Sequence, residues 1–115
     1  MAAVQTHDLI TYVDTNATEW EEIGPGARRK TLVENPETGQ RTRIVQWDPG
    51  YQVNYLDEHP HGEYIYILEG TFVDHNRASG PGTYIHQRPG SHHQPSTPDG
   101  CTFIVFIPGR RSDEG

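Results

Sequence analysis

Turn residues divide this chain into segments too short for helices. NPETG at 35–39, DPG at 48–50, EG at 69–70, SGPG at 79–82, RPGS at 88–91 and PG at 108–109 break it repeatedly. Glycine supplies left-handed turn conformations and proline presets φ, so such clusters end strands and reverse the chain. Between them the side chains alternate. Arg43, Val45 and Trp47 interleave with Thr42, Ile44 and Gln46, which is the period of two of a strand with one face buried. The same reading predicts strands over 29–34, 40–47, 51–56, 64–68, 71–74, 83–85 and 102–107. About seven or eight short strands suit a sandwich or a small barrel. Only 15–23 has room for a helical turn, capped by Asn16 or Thr18, with Trp20 expected to pack against the β-structure.

The chain has 115 residues, enough for one domain with its own core. No repeat, low-complexity tract or linker divides it. The expected organisation is an N-terminal extension over 1–18, a β-domain over 19–108 and a tail over 109–115. A formal net charge of −7 argues against nucleic acid as a partner. The longest apolar run, Phe103 to Ile107, is far too short to cross a membrane as a helix. The opening residues MAAVQTHDLI lack the basic and apolar regions of a signal peptide, so the expected location is the cytoplasm. Cys101 is the only cysteine, which excludes an intrachain disulfide and a cysteine-based zinc cluster. It is expected to be a small packing residue.

Seven histidines supply more imidazole than a surface needs. His7 and His75 read as surface residues, and His86, at a strand end, is open. Two segments stand out: DEHPHGEYIYILEG at 57–70 and GTYIHQRPGSHH at 82–93. Two histidines two apart are common by chance. A second histidine segment, following a glycine-rich turn able to bring it alongside the first, raises the pair to a candidate metal site.

These two segments resemble the paired motifs of the cupins, and the chain is similar to the ChrR-type cupin domain and its free-standing relatives. The second cupin motif, G-x5-P-x-G-x2-H-x3-N, fits from Gly82 through Gly90 to His93, with Arg88 at its proline and Thr97 at its asparagine. The match selects His93 over His92, and neighbours on a strand face opposite sides. The first motif, G-x5-H-x-H-x3,4-E-x6-G, counted back from Gly70, falls on Glu63, His59 and Asp57. Asp57 thus stands where the family has a histidine. Gly50 lies one residue too far upstream, so one insertion is needed. The rival alignment takes His59 and His61 as the histidine pair, at the cost of three insertions and two deletions. The ungapped reading is preferred, with His61 at a hairpin bend.

The resemblance implies a single-domain, all-β cupin-type antiparallel barrel, jelly-roll-like. It implies a divalent transition metal, Fe, Zn, Mn or Ni, held by Asp57, His59, Glu63 and His93. Two imidazoles and carboxylates suit such ions. Asp57 is shorter than histidine and could act through a water or by orienting His59. If Glu63 faces inward, so do Ile65 and Ile67, as a pocket wall. Tyr64, Tyr66 and Leu68 then face outward, and their cover is expected to be the N-terminal segment or a second subunit, as in a homodimer. The implied activity is metal-dependent, dioxygenase-like chemistry on a small organic substrate; isomerases and decarboxylases use similar sites. Beyond the ligand carboxylates, Tyr84 and His86 are distant candidates for a base. The alternative is a non-enzymatic sensor or binding module related to the ChrR domain. Residues before Trp20 lack the Cys/His pattern that a sigma-binding zinc domain requires.

Overall fold

In the computed structural model, which describes residues 3–109, the alternating segments become strands and none becomes a helix among the described residues. In chain order they are β1 (Val4–His7), β2 (Ile10–Val13), β3 (Glu21–Gly24), β4 (Ala27–Glu34), β5 (Arg41–Trp47) and β6 (Asp57–His59). Then come β7 (Glu63–Gly70), β8 (Phe72–Val73), β9 (Ala78–Ser79), β10 (Tyr84–Gln87), β11 (Ser91–His93) and β12 (Cys101–Ile107). All pairings are antiparallel. Six strands form one sheet in the order β10-β7-β12-β5-β4-β3, and β1-β2, β6-β11 and β8-β9 form two-stranded sheets. The result is two layers whose hydrogen bonding does not close into a continuous barrel.

Register gives the large sheet one inner face. Ala27 lies beside Trp47, Val45 beside Phe103, and Val105 beside Ile65. These residues, with Val53, Ile67, Phe72 and Cys101, make the buried core. Phe72 arrives from the small β8-β9 sheet and joins the layers. It stacks on Trp47 at 5.6 Å between ring centroids and meets Phe103 edge-on at 5.4 Å, geometries that aromatic quadrupoles favour. The outer face is more polar. Arg28 Nε donates to Gln46 Oε1 and Gln46 Nε2 donates to Thr102 Oγ1, a ladder across three strands. Tyr64 is covered there by His86, stacked at 4.5 Å, and by Phe106, while Tyr66 and Leu68 stay exposed.

Three local expectations are corrected. Residues 51–56 are not a strand. The segment meets 95–97 through separate backbone bonds, and only Gln52 forms a bridge, with Ser96. Pro95 has no N–H to return, so a ladder cannot extend there. Residues 15–23 form no helical turn. The Asp14 carboxylate accepts the Asn16 N–H at 3.0 Å and the Asp14 carbonyl accepts the Thr18 hydroxyl, a local turn that competes with helix. Trp20 does pack against the β-structure as expected, half-exposed on β4 with the Lys30 ammonium 4.6 Å from its ring centroid. Residues 71–74 do not return onto β7. Phe72 and Val73 pair with Ser79 and Ala78. Gly70 makes that departure possible: its φ is +77°, and a Cβ there would run into the Gly100 carbonyl.

The N-terminal segment read as an extension carries the β1-β2 hairpin, and residues 110–115 of the expected tail lie outside the described residues. Phe72→Ala should lower stability by about 3–5 kcal/mol in denaturant unfolding, the range for deleting a buried aromatic ring. Tyr66→Ala, on the exposed face of the same domain, should cost under about 1 kcal/mol.

Candidate metal centre

The two histidine segments meet because two strand pairs fix their register. Pairing of β6 with β11 sets His93 opposite Asp57 and Ser91 opposite His59. Pairing of β7 with β10 sets Gln87 opposite Glu63. Between β6 and β7 the chain bends at Pro60 and His61. The Gly62 N–H donates to the His59 carbonyl at 3.2 Å, and Gly62 has φ +83°. A Cβ at Gly62 would lie 2.8 Å from the Gln87 carbonyl oxygen, so glycine is what lets this bend approach β10. Gly90 donates to the same His59 carbonyl at 2.9 Å, tying the second segment's turn to the first.

Four side chains converge on one point. Asp57 Oδ2 lies 3.2 Å from His59 Nε2 and 3.3 Å from His93 Nε2, and His59 Nε2 lies 3.6 Å from Glu63 Oε1. One donor atom from each of Asp57, His59, Glu63 and His93 falls within 4.8 Å of the others. His59 and His93 are each 3% exposed, so the imidazoles cannot be satisfied by bulk water. Their outer nitrogens are held as well: His59 Nδ1 meets Ser91 Oγ at 3.2 Å and His93 Nδ1 meets the Gln87 amide at 2.7 Å. Phe72 closes against the His93 ring at 5.8 Å.

This donor set fits a divalent transition ion. Two imidazole Nε2 atoms and two carboxylates face one another within the reach of a single cation. Two ionised carboxylates in so small a buried space repel, and a divalent cation among them reverses the sign of that interaction. One atom supports the fit independently. A cation on His93 Nε2 leaves the ring proton on Nδ1, which then needs an acceptor. Gln87 Oε1 is buried with no hydrogen-bond partner among the described residues, and turning the amide end for end delivers that oxygen to Nδ1.

The other sequence candidates lie elsewhere. His61 is exposed at the bend, its ring against Gly109, and is not among the four clustered donors. His92 is exposed and His93 buried. Tyr84 and His86 stand on the exposed side of β10, and neither lines the internal cavity. Cys101 is buried in the core, and burial first, then the Asp99 charge, pushes its thiol from 9.0 up to about 11. Sequence reasoning missed Gln87 and Ser91, which orient the imidazoles. It also missed Arg29 and Arg43, which line the cavity beside the four donors.

The comparisons with known proteins agree with this architecture. The sequence profile of the ChrR cupin-like domain matches residues 10–108. The chain belongs to the ChrR cupin-like domain family. Among curated proteins none matches in sequence. Among solved structures, an RmlC-like cupin from Shewanella frigidimarina superposes with a TM-score of 0.73 at 23% identity, over 99% of this chain and 100% of that one. A candidate acetylacetone dioxygenase from Methylibium petroleiphilum gives 0.79 at 16% identity, over 96% and 88%. The Rhodobacter sphaeroides SigE complex with the anti-sigma ChrR gives 0.70 at 21% identity, over 81% and 51%. At these identities the likeness is one of fold. The two-layer all-β structure is a cupin.

Two outcomes follow from the geometry. In titrations with Co(II), followed by its visible absorption, His93→Ala should lose binding at least about a hundredfold, because β11 contributes no other donor to the cluster. His61→Ala should bind as the wild type does. Loss of binding in His61→Ala with Asp57→Ala unaffected would favour the gapped alignment. Cys101 should react with a thiol reagent at pH 8 about a hundredfold more slowly than in the unfolded chain, given a thiol raised about two units.

Proposed function

We propose that this cupin is a metal-dependent enzyme of the dioxygenase class, acting on a small organic substrate that chelates through oxygen atoms. One observation carries the reading. A pocket of about 150 Å³, open to the surface on one side, reaches Asp57, Glu63 and His93 and is walled by apolar side chains, Val45, Ile65, Phe72, Phe103 and Val105 among them, together with Arg29 and Arg43. A module that senses through the metal alone could have a closed, four-donor site. An enzyme needs room for a substrate beside the ion, and the cavity supplies it.

Asp57, His59, Glu63 and His93 would hold the ion; when bound it would supply Lewis acidity and, if it is iron, one-electron chemistry. The protein's own part is positioning. Ser91 and Gln87 fix the two imidazole planes, and Phe72 limits movement of His93. The apolar walls exclude water from one side of the site, which strengthens every polar contact inside it. The fold likeness to a candidate acetylacetone dioxygenase supports a diketone as the first compound to try. The likeness to the ChrR complex keeps a ligand-sensing role as the second reading.

The test is turnover of acetylacetone by protein loaded with Fe(II), Zn(II), Mn(II) or Ni(II), with oxygen uptake and loss of diketone absorbance recorded together. Matched uptake and loss with one metal, absent in His93→Ala, is the expected result. Loss of diketone without oxygen uptake would move the chain to another reaction class. Tight diketone binding without turnover, by any of the four, would favour the sensor.

A further inference from the structure

The inner face of the large sheet is apolar over most of its area, and Arg29, Arg41 and Arg43 enter it at one end, with Glu63 and Gln87 on the same face. Arg43 shares its face of β5 with Val45 and Trp47, and Arg29 shares its face of β4 with Ala27. Both line the same cavity as Asp57, Glu63 and His93. A guanidinium placed among apolar neighbours needs acceptors for five N–H groups. Arg43 Nε donates to Thr31 Oγ1 at 3.1 Å. No hydrogen bond or ion pair to its two terminal NH2 groups is found among the described residues. Arg29 Nε is paired with Glu21 at 2.7 Å, a carboxylate on the exposed edge strand, mostly in solvent. Arg41, the third arginine of this row, is buried and donates to the Gly39 and Gly109 carbonyls.

Three guanidinium groups sit close together here, with the charges of Glu34 and Glu21 acting against them. Burial first, and then the charges of Arg29 and Arg41, hold the Arg43 guanidinium below its ordinary pKa. It remains a cation at any ordinary pH. Glu63 stands on this same inner face at the start of β7, and Asp57 and His93 come from the separate β6-β11 pair. β5 and β7 are separated by β12 alone, so their backbones run about 10 Å apart. β12 fills that interval, with Val105 between Arg43 and Ile65, so the room beside the arginines is the cavity of about 150 Å³ above this face, enough for a molecule of a few heavy atoms. Arg29 also borders a surface groove that shares Ile23, Tyr51 and Tyr55 with the cavity, which puts it at the entrance and Arg43 further in.

We propose that Arg29 and Arg43 form a carboxylate-binding subsite, and that the substrate is a small organic acid whose carboxylate they hold while its remaining oxygens face Asp57, His59, Glu63 and His93. The proposal rests on the enzymatic reading for its second half alone. It names the substrate class and gives the negative chain a reason for carrying two cations inside. Planar guanidinium forks match carboxylate geometry, and such charge-assisted contacts are the strong ones.

The subsite is testable without metal. Metal-free protein is titrated with sodium propionate and, as the neutral match, propanamide, while the arginine Nε–H signals are followed by NMR. The expected result is a saturable shift of the Arg43 and Arg29 signals with propionate and none with propanamide. In Arg43→Gln the affinity should fall at least about tenfold, with Arg43→Lys between the two. Equal responses to both compounds, or no response to either, would overturn the proposal. In the metal-loaded protein, 2,4-dioxopentanoate should bind at least about tenfold tighter than acetylacetone, which has a methyl group in place of the carboxylate. Arg43→Gln should erase that preference while leaving metal content and acetylacetone affinity unchanged. Loss of metal in Arg43→Gln would make the arginine a support of the centre and sink the subsite. If the wild type takes up no metal, the enzymatic reading fails, and the propionate result still decides the subsite.

Discussion

Antiparallel pairing of β6 with β11 and of β7 with β10 brings Asp57 to His93 and Glu63 to Gln87 across about 25–35 residues of intervening chain. Side chains on a strand alternate, so a slip of one residue in either pair would send a donor to the opposite face. Two glycines and one bend hold the register. Gly62 lets the bend approach the Gln87 carbonyl, and the His59 carbonyl accepts the amides of both Gly62 and Gly90. Each of those backbone bonds is worth about 1 kcal/mol by itself. Their importance is geometric, since they couple the two turns that carry the donors.

The centre is a cost to the fold and a gain to function. Two carboxylates and two imidazoles occupy space that aliphatic side chains would fill more favourably. Buried charge of one sign is tolerated when a counter-charge is present, and a bound cation stabilises the folded state in proportion to its occupancy. Arg29 and Arg43 line the same cavity with charge of the opposite sign. The aromatic group of Trp47, Phe72 and Phe103 packs together along the same cavity.

Much of this was legible in the sequence. The long strands announce themselves, β5 by alternation and β7 and β12 by apolar runs between turn residues, and in the family motif the E-x6-G spacing to Gly70 puts Glu63 at the start of β7. Asp57 was legible by counting, although histidine pairs draw the eye to His61. The short strands were not. β8, β9 and β11 have two or three residues each, too few to show a period, and they exist because tertiary partners fix them. The segment 51–56 looked like a strand because it alternates, but Pro95 opposite it cannot sustain a ladder. Arg43 stood in plain view at the parity of Val45 and Trp47. A charged residue at a core parity is a signal that composition alone conceals.

The central claim is that Asp57, His59, Glu63 and His93 together hold one divalent transition ion. Elemental analysis of protein purified without added metal, passed through gel filtration and compared before and after chelator, addresses it directly. The account expects one ion of Fe, Zn, Mn or Ni per chain before chelation, loss of that ion afterwards, and a lower melting temperature for the stripped protein. Folded protein with well under a tenth of an ion per chain, unchanged by addition of any of the four metals, would contradict it.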